Sequence, residues 1–220
     1  MNRRLVLKAL GSASSVALAG CLSDSAPTSD GTTSTSTTDS GFDRALDIAD
    51  VSIPDDSQLE TTVELVSDSE KSRPPTLQIA VTTNVDQEVE FGPYRPFGSP
   101  TAAARNGDAQ LLLIPDPLDV DGGRYYVPAD GSEEHFVPET PADGCWTATT
   151  TVEVINQVAV QVDLEAGDTI ETSYRLLNSP GNPSCFPAGR YRAADTLRTS
   201  PSGDDDELTS HEWGFTIVVE

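Results

Sequence analysis

The apolar residues of this chain recur with a period of two over most of its length. Leu77, Ile79 and Val81 alternate with Thr76, Gln78 and Ala80, and Trp213, Phe215, Ile217 and Val219 alternate with Gly214, Thr216 and Val218. Successive side chains of a strand point to opposite faces of its sheet, so both runs predict strands with one buried face. Further strands are expected over 59–66, 88–91, 109–114, 146–154, 158–164, 169–177 and 189–197, with Gly, Pro or Asp at most junctions. Helical periodicity is faint, and a single turn is expected around 101–105. Seven or more short strands without intervening helices predict an all-β fold, an antiparallel β-sandwich. The pattern occupies residues 41–220, about 180 residues. That length suits one domain with a long inserted loop region, two small domains being the alternative.

The last third is the most specific part. Leu164-Glu165-Ala166-Gly167-Asp168-Thr169 reads as strand, tight turn and strand, and Pro187-Ala188-Gly189-Arg190-Tyr191 sets a tyrosine two residues after a turn glycine. The second segment resembles the E–F corner of immunoglobulin-like sandwiches, in which the tyrosine hydroxyl bonds back to the turn backbone. The order Trp146, Leu-x-x-Gly-Asp-x-Ile, Pro-x-Gly-x-Tyr and a final aromatic strand is also similar to the intracellular proteinase inhibitor-type β domain, over residues 146–219. The resemblance implies an immunoglobulin-like β-sandwich and raises proteinase inhibition as an alternative activity. No recognisable reactive loop accompanies it.

The first twenty-one residues differ in kind. Arg3 and Arg4 precede a short, weakly hydrophobic stretch, and Leu18-Ala19-Gly20-Cys21 closes it. The arginine pair resembles a twin-arginine export signal and the closing tetrapeptide a lipobox, whose cysteine becomes the lipidated first residue. Residues 9–20 number only twelve and include five Gly or Ser, whereas a membrane span needs about 20 mostly apolar residues. Residues 1–20 are therefore expected to be a signal peptide and Cys21 the point of attachment to membrane lipid. Residues 21–40 are rich in Ser, Thr and Asp and can bury almost nothing. They are expected to form a disordered tether reaching roughly 25 Å.

Charge adds habitat. The chain carries 13 basic and 36 acidic residues, a net charge of −23, and Lys71 is the only lysine outside the signal. Such self-repulsion opposes compaction in dilute buffer, but at 1 M salt the screening length is only about 3 Å. The composition reads as adaptation to high salt, consistent with a halophilic, archaeal cell surface. Nucleic acid is excluded as a partner, because phosphate contact needs clustered Lys or Arg.

With Cys21 assigned to lipid, Cys145 and Cys185 remain, and an even pair in an exported domain predicts a disulfide. A copper-ligand loop at Cys185-Phe186-Pro187-Ala188 lacks the histidine and axial methionine such a site needs. The two histidines are His135, in a loop, and His211, which beside Glu212 reads as a surface residue; no Gly-x-Ser-x-Gly elbow accompanies them. Asp116, Asp119 and Asp121, like Asp204, Asp205, Asp206 and Glu207, read as solvated acidic loops, with an irregular calcium site the alternative. No cofactor or catalytic residue is implied. Within the insertion, Tyr94, Arg95, Phe97, Arg124, Tyr125 and Tyr126 are a candidate binding surface for a surface protein or glycan, or else plug the open end of the sandwich. The pattern specifies no oligomeric state. The whole reads as a lipid-anchored extracellular module that binds or builds rather than catalyses. If habitat explains the acidity, circular dichroism of residues 41–220 from about 0.1 to 4 M salt will show cooperative β structure only above molar salt. Full folding in dilute buffer would instead point to a specific cation site or a basic partner.

Overall fold

The period-two runs become strands in the computed structural model, which describes residues 44–67, 72–118, 126–130, 135–154, 159–201 and 208–220. Twelve strands occur among them: β1 (Leu46–Ser52), β2 (Leu59–Ser67), β3 (Thr76–Thr83), β4 (Gln87–Phe91), β5 (Thr101–Ala104), β6 (Gln110–Asp116), β7 (Tyr126–Pro128), β8 (Val152–Val154), β9 (Val160–Leu164), β10 (Thr169–Asn178), β11 (Gly189–Pro201) and β12 (Thr209–Val219). The one helical element among the described residues is a 3-10 turn, Asp55–Ser57. The fold is all-β and its strand pairs are antiparallel.

Ten strands form one sheet in the order β1-β12-β11-β5-β6-β10-β3-β2. The two end strands are consecutive in the chain and touch, so the sheet curls into a nearly closed barrel. β11 serves two partners along its 13 residues. Tyr191 and Arg192 face β5, whereas Arg198–Pro201 faces β4, and β4 carries β9 on its other edge. β7 and β8 pair separately.

Three local expectations change. Residues 101–104 are a strand rather than a helical turn, because pairing with β6 and β11 overrides the helix preference of three alanines. Of 146–154 only Val152–Val154 is strand; Trp146 and Ala148 instead bond through their backbones to Asn178. β1 and β7 were not legible, being a strand bent at its Ala49/Ser52 bulge and a three-residue strand.

The main core lies inside the curled sheet and includes Leu77, Ile79, Leu111, Leu113, Leu176, Trp213, Phe215 and Ile217. A second core, with Tyr94, Leu112, Ile114, Tyr126, Phe136, Trp146 and Leu177, covers the outside of β6 and β10. Both faces of β6 are therefore buried, which is why Leu111 to Ile114 is continuously apolar instead of alternating.

Between β4 and β5 the chain turns inward. Phe97 is fully buried and sits edge-on to Trp213 at 5.2 Å and against Phe215 at 5.3 Å. A loop in a core must bond its own amides, and side chains from other elements do this. The Tyr174 hydroxyl accepts from the Phe97 N–H at 3.1 Å and donates to the Phe97 carbonyl at 2.8 Å. Tyr126 donates to the Gly98 carbonyl, Thr172 to the Arg95 carbonyl at 2.6 Å, and the Asp195 carboxylate accepts from the Gly98 N–H. Burial pushes the Tyr126 and Tyr174 phenols well up, so both keep the proton they donate.

Desolvation also raises the Asp195 carboxyl above its ordinary value, against the lowering effect of the amides that bond it. A carboxyl titrating higher folded than unfolded binds more protons in the folded state, so its contribution to stability falls as pH rises through the window above 3.8. Urea denaturation of the wild type and of Asp195→Asn should give a stability difference that favours the wild type more at pH 3.5 than at pH 7 (about three units apart, spanning this window). A difference that instead grows with pH would show that the amide bonds, not desolvation, dominate.

Candidate binding cleft

The described aromatic residues of the insertion do not form an exposed surface. Tyr94, Phe97 and Tyr126 are 1%, 0% and 0% exposed, with Tyr94 and Tyr126 edge-on at 4.3 Å, and the Tyr94 hydroxyl donates to the Leu118 carbonyl at 2.7 Å. They are wall and plug, the alternative that the sequence left open, because large rings with one polar tip gain most where the ring is buried and the tip bonded. Arg95 is half-buried beside them. Arg124 and Tyr125 lie outside the described residues, as do Arg3, Arg4 and Cys21.

The disulfide forms where expected, between Cys145 and Cys185 with their Cα atoms 5.8 Å apart. It belongs to a loop, 179–188, that is fixed from four directions. Asn178 accepts through Oδ1 from the Phe186 N–H at 3.0 Å and from the Asn182 side chain at 2.7 Å. Asn182 in turn exchanges two bonds with the Gln110 backbone, at 2.9 and 2.7 Å. The Phe186 ring is fully buried in the main core. At the loop's end the Tyr191 hydroxyl donates to the Pro187 carbonyl at 2.5 Å, the corner bond that Pro-x-Gly-x-Tyr implied.

This rigid loop and the β5–β6 turn enclose a cleft of about 880 Å³, lined on one side by Arg105, Asn106, Gly107 and Asp108 and on the other by Gly181, Pro183, Pro187, Ala188, Gly189 and Arg190. Two guanidinium groups thus reach it in a protein of net charge −23. Their placement traces to β1, where the bulge between Ala49 and Ser52 puts Asp50 in the left-handed region at φ +51°. From there Asp50 draws three arginines together. Its carboxylate meets Arg190 at 2.7 Å and Arg105 at 3.6 Å, and its carbonyl accepts from Arg192 at 3.2 Å. The bond from Arg190 is the main reason the Asp50 carboxyl titrates below its ordinary value. Opposite the bulge stands Gly214, where any side chain would strike the Ala193 carbonyl.

Two other openings have their arginines engaged. A cleft of about 420 Å³ beside Asp195 contains Arg198, which bonds Glu90 at 2.8 Å. Another of about 410 Å³ runs past Ile114, His135, Phe136 and Glu139 to Arg175, which holds Asp116 at 2.6 and 3.0 Å. Asp116 is the described member of its acidic trio; Asp119, Asp121, Asp204, Asp205, Asp206 and Glu207 lie outside the described residues.

His211 is 3% exposed, not a surface residue. Its Nε2 lies 2.9 Å from the Thr199 hydroxyl and its Nδ1 3.4 Å from the Asp56 carboxylate. The order of hydroxyl, imidazole and acid matches that of a catalytic triad. Thr199, however, is 7% exposed on a regular strand between Val89 and Thr209 and lines none of these clefts. The arrangement fastens the 3-10 turn of Asp55–Ser57 to β12.

Asp50, Arg105, Arg190, Arg192, Asn178 and Asn182 were not singled out from the sequence. The one available signal was Arg190 and Arg192 at a spacing of two, which places both on one face of a strand. Comparison of the chain with family models, with curated proteins and with solved structures finds no match in any of the three.

The disulfide closes a loop of 40 residues on the cleft's wall. In the chain-entropy view its removal in Cys145→Ser/Cys185→Ser should cost about 4 kcal/mol, read as a lower midpoint in denaturant. A loss below about 1 kcal/mol would show that the Asn178 network and the Tyr191 corner already hold the loop, since a bond of that kind contributes roughly that much.

Proposed function

We propose that this chain is a surface lipoprotein whose immunoglobulin-like domain is a binding module without its own catalysis. It leaves the cell through the signal carrying Arg3 and Arg4, is held to membrane lipid through Cys21, and stands off on the 21–40 tether in concentrated salt. Two runs of strands at opposite ends of the one sheet's order, joined through β5 and β6, support the immunoglobulin-like reading: β2-β3-β10, and β9-β4-β11-β12-β1. The crossing from β10 to β11 carries the tyrosine corner, and the 92–159 insertion interrupts the β4–β9 hairpin. The observation that carries the binding role is the cleft beside Arg105 and Arg190, whose far wall is held by a disulfide, two asparagines and the Tyr191 hydroxyl. A wall fixed before a ligand arrives loses little freedom on binding. The burial of Thr199 argues only against the Thr199–His211–Asp56 grouping as a catalytic triad.

The test is fractionation of a salt-requiring host that expresses the full chain. The wild type should sediment with membranes on the outer side, Cys21→Ser should appear in the medium, and Arg3→Lys/Arg4→Lys should remain inside the cell. A Cys21→Ser chain that still sediments with membranes would overturn the lipid anchor.

A further inference from the structure

Three arginines converge on Asp50 beside the 880 Å³ cleft, Arg105 and Arg190 at its exposed carboxylate and Arg192 at its backbone carbonyl, and they are not equally engaged. Arg190 and Arg192 hydrogen-bond Asp50, and Arg192 reaches Ser52 as well. Arg105 meets Asp50 only at 3.6 Å and has no side-chain hydrogen bond among the described residues, although its side chain is 57% exposed. A guanidinium is a planar fork matched to a carboxylate. Here one stands on the wall of a cleft with none of its donors in a hydrogen bond to a described residue, and Arg190, which shares Asp50 with it, lines the same cleft.

The rest of the lining narrows the ligand. Asn106 and Asp108 also have no side-chain partner among the described residues, and both face the cleft. A carboxylate accepts strongly from hydroxyl groups but repels further anions. Gly107 and Gly181 add stretches where no side chain lies over the backbone. The rest of the lining is alanine, proline, Gly189 and Tyr191. One anion-binding fork, one carboxylate and amide for hydroxyls, and bare backbone match a sugar that bears a single carboxylate better than they match a peptide with several acids.

We propose that this cleft recognises an acidic saccharide, Arg105 with Arg190 taking the carboxylate of a uronic-acid unit while Asn106 and Asp108 take its hydroxyls. The assignment rests on the binding-module reading and names its ligand class. The net charge of −23 does not forbid it. In molar salt repulsion beyond about 3 Å is screened, whereas hydrogen bonds made in contact remain.

The test uses the full chain in detergent at about 2 M sodium chloride, where that screening holds. Calorimetric titration would compare trigalacturonate, its methyl ester, neutral at the same positions, and a hexa-aspartate peptide. Trigalacturonate should bind, and the ester should bind at least about tenfold more weakly, the loss expected for a charge-assisted pair. Arg105→Ala should lose a similar factor for the acid with its thermal midpoint unchanged, since the side chain is largely exposed. Equal affinity for acid and ester, an unchanged Arg105→Ala, tighter binding of the peptide, or no binding of the acid would each overturn the proposal. Equal binding of acid and ester would still leave a saccharide-binding module standing. The membrane release of Cys21→Ser is read separately, so failure of the anchor and failure of the ligand class are distinguishable.

Discussion

The inward loop between β4 and β5 is the constraint around which the domain is arranged. Phe97 fills the centre of the barrel against Trp213, Phe215 and Tyr174. Placing it there drags irregular backbone into a region without water, where each unpaired amide would cost roughly 1–3 kcal/mol. Tyr174 and Thr172 on β10, Tyr126 on β7 and Asp195 on β11 meet that demand. Each partner comes from a different part of the chain, so the plug and the strands around it specify one another. Asp195 accepts a desolvation penalty to do so, which its raised titration records.

From the plug follows the second layer. Tyr126 is held at the barrel wall by its bond to Gly98, and with Tyr94, Phe136 and Trp146 it covers the outer face of β6 and β10. What would be a solvated surface in a bare sandwich is a second core. The described part of the insertion is thus a structural layer, and Tyr94, Phe97, Tyr126 and Phe136 are used up inside the domain. The cleft that Arg105 and Arg190 line is at the other end of β11, where the chain leaves the 179–188 loop.

That end combines rigidity with charge of unusual sign. The Cys145–Cys185 bridge, the Asn178 and Asn182 network and the Tyr191 corner hold the loop without using Arg105, Asn106 or Asp108. Across it, one bulge residue, Asp50, gathers Arg105 from the β5–β6 turn and Arg190 and Arg192 from β11. Three guanidiniums against the carboxylates of Asp50 and Asp108 leave an excess of positive charge at this corner of a strongly acidic protein. Local order and local charge therefore coincide at one cleft.

Alternation along the chain was enough to give the all-β class, the strands 59–66, 88–91 and 169–177 to within about a residue, and the antiparallel pairing, because period two is a property of neighbouring residues. Parity gave the disulfide, and Pro-x-Gly-x-Tyr gave the corner, since that bond spans only four residues. The nearly closed curl of the sheet, the inward course of 92–100 and the burial of His211, Tyr94 and Tyr126 depended on contacts between residues far apart in sequence. No local pattern separates an aromatic ring that meets a ligand from one that meets a second core. The arginine corner was hidden for the same reason. Arg105, Arg190 and Asp50 are up to 140 residues apart, and only the closing of β1 onto β12 and of β5 onto β11 brings their charges together.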